Sequence, residues 1–218
     1  MQSASEQTET KKRLLEAAGE VFADSGFNSA TIRDICKRAE ANVAAVNYHF
    51  RDKENLYRET MRYAQICAGE ADFPLDVRPE GGQPREVRLR AYIHSFLERV
   101  LGCGRPSWHT KLMTREMVDP TPVLDEIIRE KIQSHHKLLL SILSQYVGAQ
   151  NPKLVVQCAS SVLGQILFYA HARPVIQRMQ PEVLAPENLP ALAEHIFQFS
   201  HAALTSLAST PSQAQPGP

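Results

Sequence analysis

The sequence has no excess charge of either sign: Lys plus Arg and Asp plus Glu number 24 each, for a formal net charge of +0. A broad basic field able to hold any polyanion is thereby excluded. Contact with nucleic acid would have to rest on a few placed cations and on helix N-termini. Cysteines are few and scattered: Cys36, Cys67, Cys103 and Cys158. Without CxxC or Cys/His spacing they form no zinc motif, and they suit small buried hydrophobes in a reducing cytosol. His135 and His136 are adjacent, so on a helix they point about 100° apart and cannot chelate together. There is no HExxH either, so no metal and no cofactor is expected. Neither GxSxG nor a P-loop occurs, and the chain does not read as an enzyme. No apolar run of eighteen residues and no secretory leader is seen, which points to a cytoplasmic protein without membrane contact. No segment alternates apolar and polar residues as a half-buried strand does, and there is no internal repeat. The chain reads as all-α.

What is present is concentrated in residues 31–57. Thr31 suits a helix N-cap, and Ile32, Ile35 and Ala39 then share one helical face. A polar break, Glu40-Ala41-Asn42, ends on a second N-cap for a short helix from Val43 to about Phe50. Two short helices joined by a tight turn are a helix-turn-helix, whose second helix lies in the DNA major groove. Val43, Ala44 and Ala45 are small enough to approach base edges, and Val46 and Phe50 can anchor the helix inward. Asn47 can pair with adenine, and Tyr48 and His49 suit phosphate oxygens. Taken alone, Tyr48 and His49 could equally cap a helix and cover a core. Residues 31–62 hold seven basic and five acidic residues, so Arg33, Arg51 and Lys53 are the cations available.

The stretch from 11 to 57 resembles the DNA-binding domain of TetR-type transcriptional regulators. The resemblance is carried by Ala17-Ala18, Phe22, Gly26-Phe27, Thr31-Ile32, Ile35, Ala39, Tyr48-His49-Phe50 and Lys53-Glu54-Asn55-Leu56. The family's usual turn glycine is Glu40 here, and its usual mid-helix tyrosine is Asn47. The resemblance implies phosphate contacts from Thr31, Tyr48 and Lys53. The expected DNA-binding set is Thr31, Arg33, Asn42, Val43, Ala44, Ala45, Asn47, Tyr48, His49 and Lys53.

Composition and periodicity divide the chain into a disordered tail (1–9), the helix-turn-helix domain (10–57), a helical second domain (58–208) and a disordered tail (209–218). The first helix is predicted over 10–24. A longer one from about Asp52 to Gly69 would begin beside the DNA site and end in the second domain, so that its tilt could move the reading head. Prolines and glycines break residues 73–84. Further helices follow at 84–102, 107–118, 122–147, 152–172 and 189–207, with a short turn at 174–181.

The last two long helices are apolar over more than one face, which suggests pairing with a second copy, although central burial within one chain would give the same pattern. By resemblance the chain is a homodimer joined through those helices. Its two reading heads would enter successive major grooves of a palindromic double-stranded operator, about 34–36 Å apart. Residues 105–125 and the helices after them resemble the effector domain of the CecR-like branch, which implies a small-molecule pocket. The candidate effector-binding residues are Trp108, His109, Met113, Arg115 and Glu116, with His94, Phe168, Tyr169 and His171. An aromatic ring with methionines suits an apolar or amphipathic effector. The competing reading makes Trp108 a core plug and Arg115 and Glu116 interhelix ion pairs. The leading functional expectation is a ligand-responsive repressor. The alternatives are a helical small-molecule-binding protein or enzyme with an accessory helix-turn-helix, and a regulator whose second domain binds a protein.

Overall fold

A computed structural model describes residues 4–67, 77–78, 82–102 and 107–209. Among the described residues every regular element is helical. The helices are α1 Ala4–Ser29, α2 Ile32–Arg38, α3 Val43–Phe50, α4 Lys53–Cys67, α5 Arg85–Leu101, α6 Ser107–Val118, α7 Val123–Ile127, α8 Gln133–Val147, α9 Pro152–His171, α10 Arg173–Met179 and α11 Leu189–Ser209. They form two compact units. The first holds α1–α4 with α6 and α7, and the second holds α5 and α8–α11.

This division differs from the expected boundary at residue 57. Helix α4 belongs entirely to the first unit, because Leu56, Met61 and Ala64 are fully buried there and Tyr63 donates to Glu16 of α1 at 2.6 Å. Helices α6 and α7 join it from far along the chain. Trp108 of α6 is 5% exposed and lies over Gly19 of α1, where a Cβ would come within 2.4 Å of indole carbons. The indole N–H donates to Glu16 at 3.0 Å, so one carboxylate ties α4 and α6 to α1. The centre of the unit is aromatic: the Phe22 and Tyr57 rings meet edge-on at 4.8 Å, with Phe27 at 5.1 Å from Tyr57.

Two other expectations are corrected. Residues 4–9 are helical, not disordered. Glu6 stands in the first turn, where its charge suits the helix dipole, and Thr10 donates back to the Glu6 carbonyl at 2.9 Å. Residues 1–3 and 210–218 of the expected tails lie outside the described residues, whereas Ser209 ends α11. The expected single helix over 122–147 is interrupted by a π-helical turn, Ile128–Ile132, between α7 and α8. None of those five residues is buried. The wide turn separates two inward faces, Val123 and Ile127 in the first unit and Leu139, Ile142 and Leu143 in the second.

The second unit is built around α5. Its Leu89, Tyr92, Ile93 and Leu97 are at most 1% exposed. Arg90 of α5 pairs with Glu194 of α11 at 3.0 Å and stacks over the Phe197 ring at 4.1 Å. Arg88 is buried, donating to the Val77 carbonyl at 3.0 Å and to the Ser141 hydroxyl at 3.1 Å. Tyr146 of α8 approaches His201 of α11 at 3.1 Å, and burial pushes its phenol up to about 12.

The Gly19 notch gives a direct prediction. Gly19→Ala should displace the indole and destabilise the protein by about 1–3 kcal/mol, the usual cost of overpacking. Trp108 is the chain's single tryptophan. Its fluorescence should therefore shift to the red as thermal melting reports the loss.

Candidate nucleic-acid interface

Helices α2 and α3 have 7 and 8 residues, too short to persist alone, so their ends carry much of the local specification. The Thr31 hydroxyl accepts from the Asp34 N–H at 3.1 Å and donates to the Asp34 carboxylate at 2.6 Å. Asn42 Oδ1 accepts from the Ala45 N–H at 2.8 Å. Both predicted N-caps are therefore in place, and Asp52 adds a third by accepting from the Asn55 N–H at 2.8 Å. Inward, α2 buries Ile35 and Cys36, and α3 buries Val46 and Phe50.

The turn between them closes as a Schellman motif. The Ala41 N–H donates to the Cys36 carbonyl at 3.0 Å, and the intervening Glu40 has φ +49°. Glu40 is thus a side-chain-bearing residue in the left-handed region at the position where glycine is the ordinary choice. Arg51, which caps the end of α3, also has positive φ, +71°.

With the inner face fixed, α3 presents Asn42, Val43, Ala44, Asn47 and Tyr48 to solvent, and Ala45 and His49 are half-buried. Tyr48 is 70% exposed. The Asn47 amide makes no hydrogen bond with the described residues and remains available to an outside partner. Thr31 and Arg33 of the α2 end are exposed as well. Lys53 is placed differently from a free surface cation. Its ammonium donates to the Asn28 carbonyl at 3.2 Å and lies 4.7 Å from the Phe27 ring centre. Lys11 of α1, absent from the expected set, has its ammonium 5.7 Å from the Phe50 ring centre. The His49 imidazole is held below its ordinary pKa by burial and then by the Lys11 charge.

The nine candidate effector residues do not gather in one unit. Trp108, His109, Met113, Arg115 and Glu116 are on α6 in the first unit, while His94, Phe168, Tyr169 and His171 are in the second. Trp108, Arg115 and Glu116 of the α6 group have partners within their own unit. Glu116 is fully buried and accepts from the Tyr57 hydroxyl at 2.5 Å, and from the Thr121 N–H at 2.9 Å and hydroxyl at 2.8 Å. Burial and this carboxylate together drive the Tyr57 phenol far up. Arg115 donates to the Asp24 carbonyl at 3.3 Å, close to Gly26. Lys111, donating at 2.7 Å, holds the Asp24 carboxyl below the usual range, helped by Arg38 and Arg115. In the second unit, Phe168 is 59% exposed, and His94 Nε2 is buried 3.7 Å from Glu194, beyond hydrogen-bond distance.

A capped pair of short helices with an unengaged outer face, followed by an all-helical second unit, defines a helix-turn-helix transcription factor. Comparison with known proteins narrows that class. Residues 14–60 match the model of bacterial regulatory proteins of the tetR family, and residues 85–204 match the C-terminal domain of the HTH-type transcriptional dual regulator CecR. The chain belongs to the TetR family of DNA-binding transcriptional regulators, in the branch with the CecR C-terminal domain. It is 26% identical over 178 residues to the CecR regulator of Shigella flexneri, covering 77% of this chain and 78% of that one. Against AcrR of Shigella flexneri it is 28% identical over 89 residues, 41% of each chain. The crystal structure of HlyIIR, a hemolysin II transcriptional regulator, has the same fold, with a TM-score of 0.61 at 20% identity over 88% of this chain and 97% of that one. The family regulates transcription and is not enzymatic.

Glu40 supplies the prediction here. A left-handed conformation costs a side-chain-bearing residue about 1–2 kcal/mol, partly offset by the greater unfolded-state freedom of glycine. Glu40→Gly should therefore raise stability by roughly 0.5–1 kcal/mol in denaturant titration. A fall in stability would show that the Glu40 side chain contributes more than its backbone strain.

Proposed function

We propose that this regulator is a homodimer that represses transcription from a palindromic operator and is released by a small apolar or amphipathic effector. The observation that carries the DNA-reading part is the outer face of α3. Its small residues Val43 and Ala44 admit close approach to base edges, with thymine methyls as natural neighbours, and the free Asn47 amide suits adenine. Tyr48, His49, Thr31 and Arg33 then serve as backbone contacts. Asn42 and Ala45 hold the helix end open at the groove. Lys53, tied to Asn28, brings its charge to the start of α4.

The dimer reading is supported by α9. From Leu154 to Ala170 it carries no Asp, Glu, Lys or Arg. By length and composition this helix could cross a membrane. Its outward positions include Val156, Ser160, Gly164 and Phe168, and Phe199 and Leu207 are exposed on α11. An uncharged, small-residue face with two protruding phenylalanines suits a second copy better than water. Phe168 takes this role more readily than that of a pocket wall. The effector is assigned to the second unit, at His94 with Tyr169 and His171. The α6 residues, of which Trp108, Arg115 and Glu116 are already engaged, hold the first unit together instead. Release requires the effector to prefer a dimer geometry that misplaces the reading heads.

A gel shift with DNA upstream of the chain's own gene tests the reading, with a two-fold symmetric footprint as the expected result. On that DNA, Asn47→Ala should cost roughly 1–3 kcal/mol and relax preference at one base position. Equal losses on operator and random duplex would show that Asn47 reads no base. Phe168→Glu should weaken the dimer by about 2 kcal/mol or more, as for a central aromatic at an interface, seen as monomer by light scattering. An unchanged mass would place the dimer seam elsewhere.

A further inference from the structure

Lys11 is distant in sequence from the helix-turn-helix, but its ammonium sits at the C-terminal end of the recognition helix. It lies 5.7 Å from the Phe50 ring centre, the Phe50 ring is 5.9 Å from His49, and His49 is 5.0 Å from the exposed Tyr48 ring. The Phe50 ring thus has both the Lys11 ammonium and the His49 imidazole as neighbours, and His49 in turn contacts the exposed Tyr48 ring. The Lys11 ammonium has one anionic neighbour among the described residues, Glu59 at 3.5 Å, and Glu59 also serves Arg62 at 3.3 Å. Its charge is thus shared, and the Lys11 side chain remains 43% exposed. Burial, and after it the Lys11 charge, holds the His49 imidazole below its ordinary pKa.

We infer that Lys11 of α1 and His49 of α3 close on a single DNA phosphate, making the first helix a second anchor of the reading head on the backbone. The ligand chemistry is that of a phosphodiester. Lys11 supplies the charge, and His49 supplies a ring N–H from the other side. A phosphate placed there meets the exposed Lys11 ammonium, whose carboxylate neighbour Glu59 is shared with Arg62. In a chain with no net charge, a placed pair of this kind is the available route to backbone affinity. It fixes orientation without reading sequence.

The test uses the full chain and fluorescent duplexes of operator and of random sequence, across a salt series. Lys11→Gln should weaken binding to both several-fold, and should make the slope of log affinity against log salt shallower by about 0.9, one phosphate's worth. Lys11→Arg should retain the slope. Glu59→Gln frees Lys11 and should leave affinity equal or higher. If Glu59→Gln reproduces the Lys11→Gln loss, Lys11 acts through its ion pair and the inference fails; an unchanged slope in Lys11→Gln overturns it as well. Should Lys11→Gln fold poorly, acetylation footprinting of the wild-type protein decides: DNA should protect the Lys11 amine, and equal modification with and without duplex refutes the clamp. A wild-type protein that binds no duplex at low salt removes both the clamp and the DNA-binding assignment, whereas binding with an unprotected Lys11 removes the clamp alone.

Discussion

The first unit depends on the close approach of α6 to α1 at Gly19. A side chain at that position would strike the indole of Trp108, so a residue with no Cβ is needed for the two helices to meet. The indole N–H then finds Glu16, which also receives the Tyr63 hydroxyl from α4. A buried tryptophan is stable only when its N–H is satisfied, and here the partner is an acceptor that α4 already uses. The second attachment is chemically different. Glu116 is a fully buried carboxylate answered by Tyr57 and by two donors of Thr121. Loss of either side would leave a desolvated polar group without compensation, which gives the contact high stakes. Arg58 extends the tie to α7, its Nε–H shared between the two carboxylate oxygens of Glu126 at 2.9 and 3.0 Å.

The helix-turn-helix rests on that platform and not on its own propensity. Helices of 7 and 8 residues gain little from hydrogen bonding alone. They persist because Thr31 and Asn42 satisfy orphan N–H groups and because Ile35, Val46 and Phe50 are buried against their neighbours. Glu40 shows that this support exceeds the minimum. The turn tolerates a left-handed glutamate because the Schellman hydrogen bond and the burial on either side together fix the geometry.

Features determined by neighbours in the chain were legible from sequence. The caps at Thr31 and Asn42, the apolar spacing of α2 and the spans of α3, α5, α6 and α9 all follow from local rules. Features that depend on distant matching were not. Nothing near Trp108 announces that its seat is Gly19, and nothing near Glu116 announces Tyr57. Local sequence therefore leaves α6 between pocket lining and core plug, and the contacts of Trp108 with Gly19 and of Glu116 with Tyr57 belong to the second reading. The π-turn at Ile128–Ile132 leaves no mark in the sequence, because apolar spacing on both sides continues a helical pattern and a shift in backbone hydrogen-bond register leaves that pattern intact. The early start of α1 was hidden by a polar opening that resembles a disordered tail until Thr10 and Lys11 find their partners.

Zero net charge has a consequence for how DNA is held. Three of the cations around the reading head already have intramolecular duties. Lys53 binds the Asn28 carbonyl, Lys11 faces Glu59, and Arg38 meets Glu20 at 2.9 Å. These are exposed or half-exposed pairs, individually weak in water and easily exchanged. A phosphate that approaches such a cation replaces one partner with another, so each contact adds less than a free cation would, while its position stays fixed before the DNA arrives. On the proposed reading face, affinity for arbitrary polyanions is suppressed and the remainder rests on groove fit by Val43, Ala44 and Asn47. A neutral regulator thereby gains a higher ratio of specific to non-specific binding than a basic one with the same reading helix, because the sequence-independent part of its affinity is the part its own carboxylates oppose.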